Sequence, residues 1–230
     1  MRRFLRDQGL SLFFLALFLG SLAGQAIAGH KMYNEDEIVH AKLMHQQPNT
    51  ITFARYLVSS NFGNAVMENW QSEYLQFVTF LLATVWFVQR GSTESKKVED
   101  AGRESDEQQL VGEHAKPDSP KWARAGGWRT SVYENSLLYL MGAIWVASWF
   151  AQSVTGWSDY NNNQVSHGEN TVSWAGYLKS PDFWQATLQN WQSEFLAVGS
   201  MIVFSIYLRQ RGSPQSKPVG APHEATAEEG

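Results

Sequence analysis

The pentapeptide Asn69-Trp70-Gln71-Ser72-Glu73 returns as Asn190-Trp191-Gln192-Ser193-Glu194, 121 residues later. Segments 54–96 and 175–217 align around it without a gap and are identical at 18 of 43 positions. The identities include Tyr56-Leu57 and Tyr177-Leu178, Phe62 and Phe183, and a closing Gln-Arg-Gly-Ser at 89–92 and 210–213. A chain that repeats itself over such a length is assembled from two copies of one unit, so any admissible fold must be built twice.

Each pentapeptide leads into a mostly apolar stretch that ends on the basic Gln-Arg-Gly-Ser stop. A second pair of apolar stretches precedes them, at 10–28 and 137–155, each close to the ~20 residues that cross a bilayer as a helix. The mean hydropathy of −0.32 conceals this pattern, because long polar connections dilute the four stretches. The start, with Arg2, Arg3 and Arg6 before an apolar run and Ala26-Ile27-Ala28, has the plan of a cleavable signal. The second half carries an internal counterpart, matching Gln25 to Gln152, Gly29 to Gly156 and Tyr33-Asn34 to Tyr160-Asn161. An internal copy cannot be a signal, so the first stretch is expected to stay as a span. The expected fold is an all-α membrane protein with spans at 10–28, 70–88, 137–155 and 191–208. It forms two parallel two-helix repeats, 1–90 and 121–211, the parallel arrangement of duplicated transporters.

The connections follow from local composition. Residues 30–52 are polar, with a short amphipathic helix expected near 36–46. Ser180 reads as an N-cap with Pro181 at N1, and Ser59-Ser60-Asn61 takes that role in the first copy. The resulting helices should run through the pentapeptides to about Val88 and Leu208. Residues 91–120, rich in Ser, Glu, Lys and Asp, are expected to be a flexible linker, and 212–230 a disordered tail. Lys and Arg number three at the amino terminus, eight in the centre and three in the tail, 14 of 18 in all. The positive-inside rule therefore places both termini and the linker in the cytoplasm.

Glu73 and Glu194 stand out because a carboxylate at the edge of the hydrocarbon should face protein or water rather than lipid. Asn69 and Asn190 lie four residues before them, on the same helical face. Gln25 and Gln152 lie near the ends of the other two spans, and Gln25 is expected to meet Glu73, as Gln152 is to meet Glu194. These six residues are either an interhelical polar clamp or a cation- or proton-binding site. Trp70, Trp191, Trp122 and Trp128 are read as interface anchors. His40 and His45 are five apart, off the spacing that shares a helical face, and belong to a solvated connection. There is no cysteine, which excludes disulfides, thiolate catalysis and Cys-based metal sites. Nucleophile, zinc-hydrolase and phosphate- or dinucleotide-loop motifs are absent too, so no cofactor and no enzymatic activity is expected. No basic, aromatic-rich stripe points to nucleic acid.

With the Tyr-Leu pairs, the NWQSE copies and the Gln-Arg-Gly-Ser stops in view, the chain resembles an uncharacterised bacterial membrane-protein family, a domain of unknown function. The similarity covers about Met1 to Gln210. It implies a multi-pass inner-membrane protein whose partners are the lipid bilayer and a protein partner or second copy, and it carries over no functional residue. The expected function is a non-enzymatic membrane component, with a small cation or proton carrier as the alternative.

Overall fold

The computed structural model describes residues 2–227. Those residues contain helices and turns and no strand. In chain order the helices are α1 (Arg2–Asp7), α2 (Gly9–Leu43), α3 (Phe53–Leu57), α4 (Ser60–Trp86), α5 (Gly127–Glu134), α6 (Ser136–Ser166), α7 (Trp174–Tyr177) and α8 (Pro181–Tyr207). Two helices, α2 and α6, are long and apolar enough to cross a membrane. The four expected spans are thereby reduced to two by this criterion. The expected stretches 70–88 and 191–208 lie on α4 and α8, which begin their apolar course inside NWQSE. Its amides and carboxylate lower the average hydropathy of any window long enough to span.

Helix α2 also exceeds expectation. Its 35 residues form one unbroken rod about 52 Å long, and the short helix expected at 36–46 is its last turns. Nothing between His30 and Leu43 breaks a helix, since the segment lacks Pro and Gly. Helix α6 continues in the same way through the Asn-rich segment to Ser166.

The chain divides into two compact units, Met1–Val66 with Ser153–Val172 and Met67–Gln152 with Ser173–Gly230. In the first, Asn34 of α2 grips the backbone of Ile51. Its amide donates to the Ile51 carbonyl at 3.0 Å and its oxygen accepts the Ile51 N–H at 2.8 Å. Asn161 of α6 holds Val172 identically, at 3.0 and 2.9 Å. A third bond reaches each carbonyl, from His30 Nε2 to Ile51 at 2.7 Å and from Trp157 Nε1 to Val172 at 2.8 Å. Both clamps close the chain one residue before a capped short helix. Thr52 accepts the Arg55 N–H and Ser173 the Gly176 N–H. Ser59 and Ser180 then cap α4 and α8 through the Phe62 and Phe183 N–H groups, at 3.2 and 3.3 Å. Tyr56, 2 % exposed, anchors the first unit against His30, Tyr33 and Phe62. Its hydroxyl lies where a Cβ on Gly29 would sit, so only glycine fits there.

In the second unit, the two Gln-Arg-Gly-Ser stops form matching turns. Ser95 and Ser216 accept the Gln89 and Gln210 N–H groups at 2.7 and 2.9 Å. Ser92 and Ser213 accept the Glu94 and Gln215 N–H groups at 3.1 and 3.2 Å. Gly91 and Gly212 supply the left-handed backbone, φ 86° and 83°, that the turn requires. Composition marked these positions as the start of flexible segments, but the described residues beyond them fold back. The Gly102 N–H bonds the Val85 carbonyl at 2.7 Å, and Thr226 Oγ1 accepts the Gly91 N–H at 2.8 Å.

Candidate functional site

The NWQSE residues meet in the second unit. Gln71 is fully buried and its Oε1 accepts a hydrogen bond from Trp191 Nε1 at 2.7 Å, while its amide donates to the Glu68 carbonyl at 3.1 Å. The Trp191 ring lies 5.8 Å from Trp149, which stacks on Trp145 at 5.8 Å and on Phe183 at 6.4 Å. Trp191 thus spends its polar edge on a protein acceptor, beyond the interface role expected of it. Trp70 is half-buried. Trp122 and Trp128 meet edge to face at 6.0 Å ahead of α6, and the Arg129 guanidinium lies 5.7 Å from the Trp128 ring centre.

Of the two expected glutamates, Glu73 is exposed and Glu194 half-buried, and they stand close enough for their charges to repel. Asn190 donates back to the Ala186 carbonyl at 2.8 Å, and Asn69 lies exposed. The amides on α2 and α6 do not behave as a pair. Gln25 is exposed on α2, whereas Gln152 is fully buried and makes no side-chain hydrogen bond to Glu194. Sequence spacing placed the amides at one depth, but it could not say which way each helix turns them. Among buried groups of the second unit, the hydroxyl of Thr187 and the indole N–H groups of Trp145 and Trp149 have no protein hydrogen-bond partner.

A second polar assembly lies wholly in the first unit and was not anticipated. It is a cavity of about 800 Å³ bordered by α2, the connection after it, the start of α4 and the end of α6. Asp36, Glu37 and Asp159 supply carboxylates to its wall, Arg55 a guanidinium, and Tyr33 a ring. Asn61 orders the wall by accepting from the Tyr56 hydroxyl and donating to Asp159 Oδ2, both at 3.3 Å. Burial raises the Asp159 carboxyl above the usual range, partly offset by the Asn61 hydrogen bond. Burial also raises the Tyr33 hydroxyl, reinforced by the charges of Glu37 and Asp159 and opposed by Arg55. Three charged groups therefore act on one tyrosine. Nearby, His40 Nε2 bonds the Ser166 carbonyl at 2.8 Å, and its ring lies 5.1 Å from His167. His40 was read as solvated and instead ties α2 to the end of α6. The available signal for the cavity was Asp159 itself, a carboxylate just past the expected span at 137–155.

The chain belongs to the family described as Domain of unknown function (DUF6766), whose model matches residues 1–228. No curated protein and no solved structure matches it.

Proposed function

We propose that the protein is a non-enzymatic component of a bacterial inner membrane, in which the NWQSE motifs clamp the two repeats together. On this reading all four expected stretches lie in the membrane, as two parallel hairpins with both termini cytoplasmic. Helices α4 and α8 enter through their polar pentapeptides, and the first span is retained. The carrying observation is the 2.7 Å bond from Trp191 to the fully buried Gln71, which joins one copy of the most distinctive motif to the other. Interhelical polar contacts of this kind contribute about 0.6–2 kcal/mol in membranes. The bilayer and a protein partner or second copy are its expected contacts.

The alternative, a cation or proton carrier, draws support from the juxtaposed Glu73 and Glu194. A cavity of about 370 Å³ begins beside them at Gln76 and Phe195, lined by α4 and α8. Thermal unfolding across a panel of cations, with wild type beside the double variant Glu73→Gln, Glu194→Gln, separates the two. The clamp predicts the same ion response in both proteins. An ion that stabilises wild type alone assigns the pair to binding, because a ligand of the folded state stabilises by mass action.

A further inference from the structure

We infer that the cavity of the first unit binds a small, oxygen-rich molecule carrying an ammonium group, held by Asp159, Glu37 and Tyr33 and met at its oxygen end by Arg55.

Four observations carry this. The volume, about 800 Å³, falls within the roughly 300–1,000 Å³ of small-molecule sites and far exceeds what one ion fills. The wall holds three carboxylates against one guanidinium, so it attracts net positive charge. The carboxylates do not gather as a metal site: among the described residues, no three His, Asp or Glu side chains group closely enough to hold a metal ion. A polyatomic cation can satisfy charges that a single metal cannot span. An aromatic ring beside carboxylates suits an ammonium group, through the ring face and charge-assisted hydrogen bonds. Arg55 provides the planar donor pair that recognises a carboxylate, a phosphate or neighbouring hydroxyls.

The fourth observation comes from the duplication. Asp159 aligns with Met32 under the correspondence that pairs Asn34 with Asn161, and Met32 lines the same cavity. The helix accommodates a thioether at this position in one copy, so the repeat itself does not require a carboxylate there. Burial without a cationic partner works against the charged form of Asp159. A bound ammonium group supplies that partner, and Asn61 already holds one carboxylate oxygen in place.

The same chemistry occurs in an ethanolamine phospholipid headgroup and in free amino alcohols or amino sugars, and the test separates these sources. Wild type and Asp159→Asn, in an amine-free detergent buffer, would be titrated with phosphoethanolamine and glucosamine. Glycerol phosphate and N-acetylglucosamine, which lack the ammonium group, are the controls. In parallel, both proteins would be unfolded in nanodiscs of phosphatidylethanolamine or of phosphatidylglycerol. The expected result is a raised unfolding temperature for wild type with an ammonium probe and none with its amine-free control. Asp159→Asn should weaken that binding about tenfold or more, the loss expected for a charged hydrogen-bonding partner. Stabilisation in phosphatidylethanolamine discs that Asp159→Asn abolishes identifies a lipid headgroup. Stabilisation by the soluble probes alone identifies a free amine. The inference is overturned if no ammonium compound stabilises wild type in either setting, if the amine-free controls act equally, or if Asp159→Asn binds as wild type does. Asp159→Asn keeps the shape of the side chain and removes a buried charge, so the variant should fold.

Discussion

Gln71 and Gln192 occupy the same position in identical pentapeptides, yet Gln71 is fully buried against Trp191 while Gln192 is exposed. Ser72 and Ser193 differ likewise, the first buried and the second exposed. Lys96 and Lys217 close identical turns, but Lys96 stays partly exposed, bonding the Gly102 carbonyl and pairing with Glu104. Lys217 is 1 % exposed, its ammonium donating to the carbonyls of Gly91, Pro222, His223 and Ala225 at 2.7–3.3 Å. The copies agree in their asparagine clamps, caps and serine-braced turns and part at these positions, where burial depends on distant neighbours. Position 63 and its counterpart 184 show how the division begins. Gly63 lets α4 come within 3.0 Å of Thr155, measured to a Cβ built on the glycine. Trp184 instead joins the rings of Trp149 and Phe183.

The turn lysines should give the largest contrast. Lys217→Met removes an ammonium group from a cage of carbonyls and leaves those acceptors buried, at about 3 kcal/mol or more. Lys96→Met loses a partly exposed ion pair, about 0–1 kcal/mol. Thermal or denaturant unfolding in detergent measures both, and equal losses would show that the turns are equivalent in solution. The pentapeptide glutamines come next. Gln71→Ala strands the Trp191 N–H and should cost about 1–3 kcal/mol, whereas Gln192→Ala at an exposed site should stay within about 0.5 kcal/mol. A matched effect at the two sites would break the asymmetry.

The asparagine clamps are the place where the copies should behave alike. Asn34→Ala and Asn161→Ala each remove the two hydrogen bonds to the clamped backbone residue, Ile51 or Val172, and should each cost about 1–3 kcal/mol. A clear inequality would show that the surroundings reach even this local device. The smallest effect concerns pH. Asp159 has a folded-state pKa above its ordinary value. Between those two values the folded protein therefore binds more protons than the unfolded chain, and stability falls as pH rises. Above the folded pKa the loss is complete. Asp159→Asn should remove this slope and unfold at a slightly higher temperature than wild type at neutral pH, with no ligand present. Identical pH profiles would mean that Asp159 is well solvated.

Much of the local architecture was readable beforehand. Ser180 with Pro181 announced the start of α8, and the alignment with 59–61 announced that of α4. Glu73 and Glu194 were expected as a symmetric pair, and the structure leaves the first exposed and the second half-buried. The cavity was not readable. Its wall joins residues 33, 37, 55, 61 and 159, and nothing in the spacing shows that the end of α6 approaches the connection after α2. Gln25 lies exposed where Gln152 is buried for a related reason. Helical periodicity gives the relative angle between two side chains on one helix, but the rotation of that helix about its own axis is a tertiary matter.

The sequence by itself determined the helices, their caps, the two asparagine clamps and the two serine-braced turns. Each is a hydrogen bond or steric preference among groups joined by a short stretch of chain, so two similar segments must form it twice. Only the tertiary structure decided that Gln71 is buried and Gln192 is not, that Lys217 is enclosed, and that Asp159 and Arg55 line one cavity. Burial and long-range charge depend on residues brought together from distant parts of the chain, and there the copies have different neighbours.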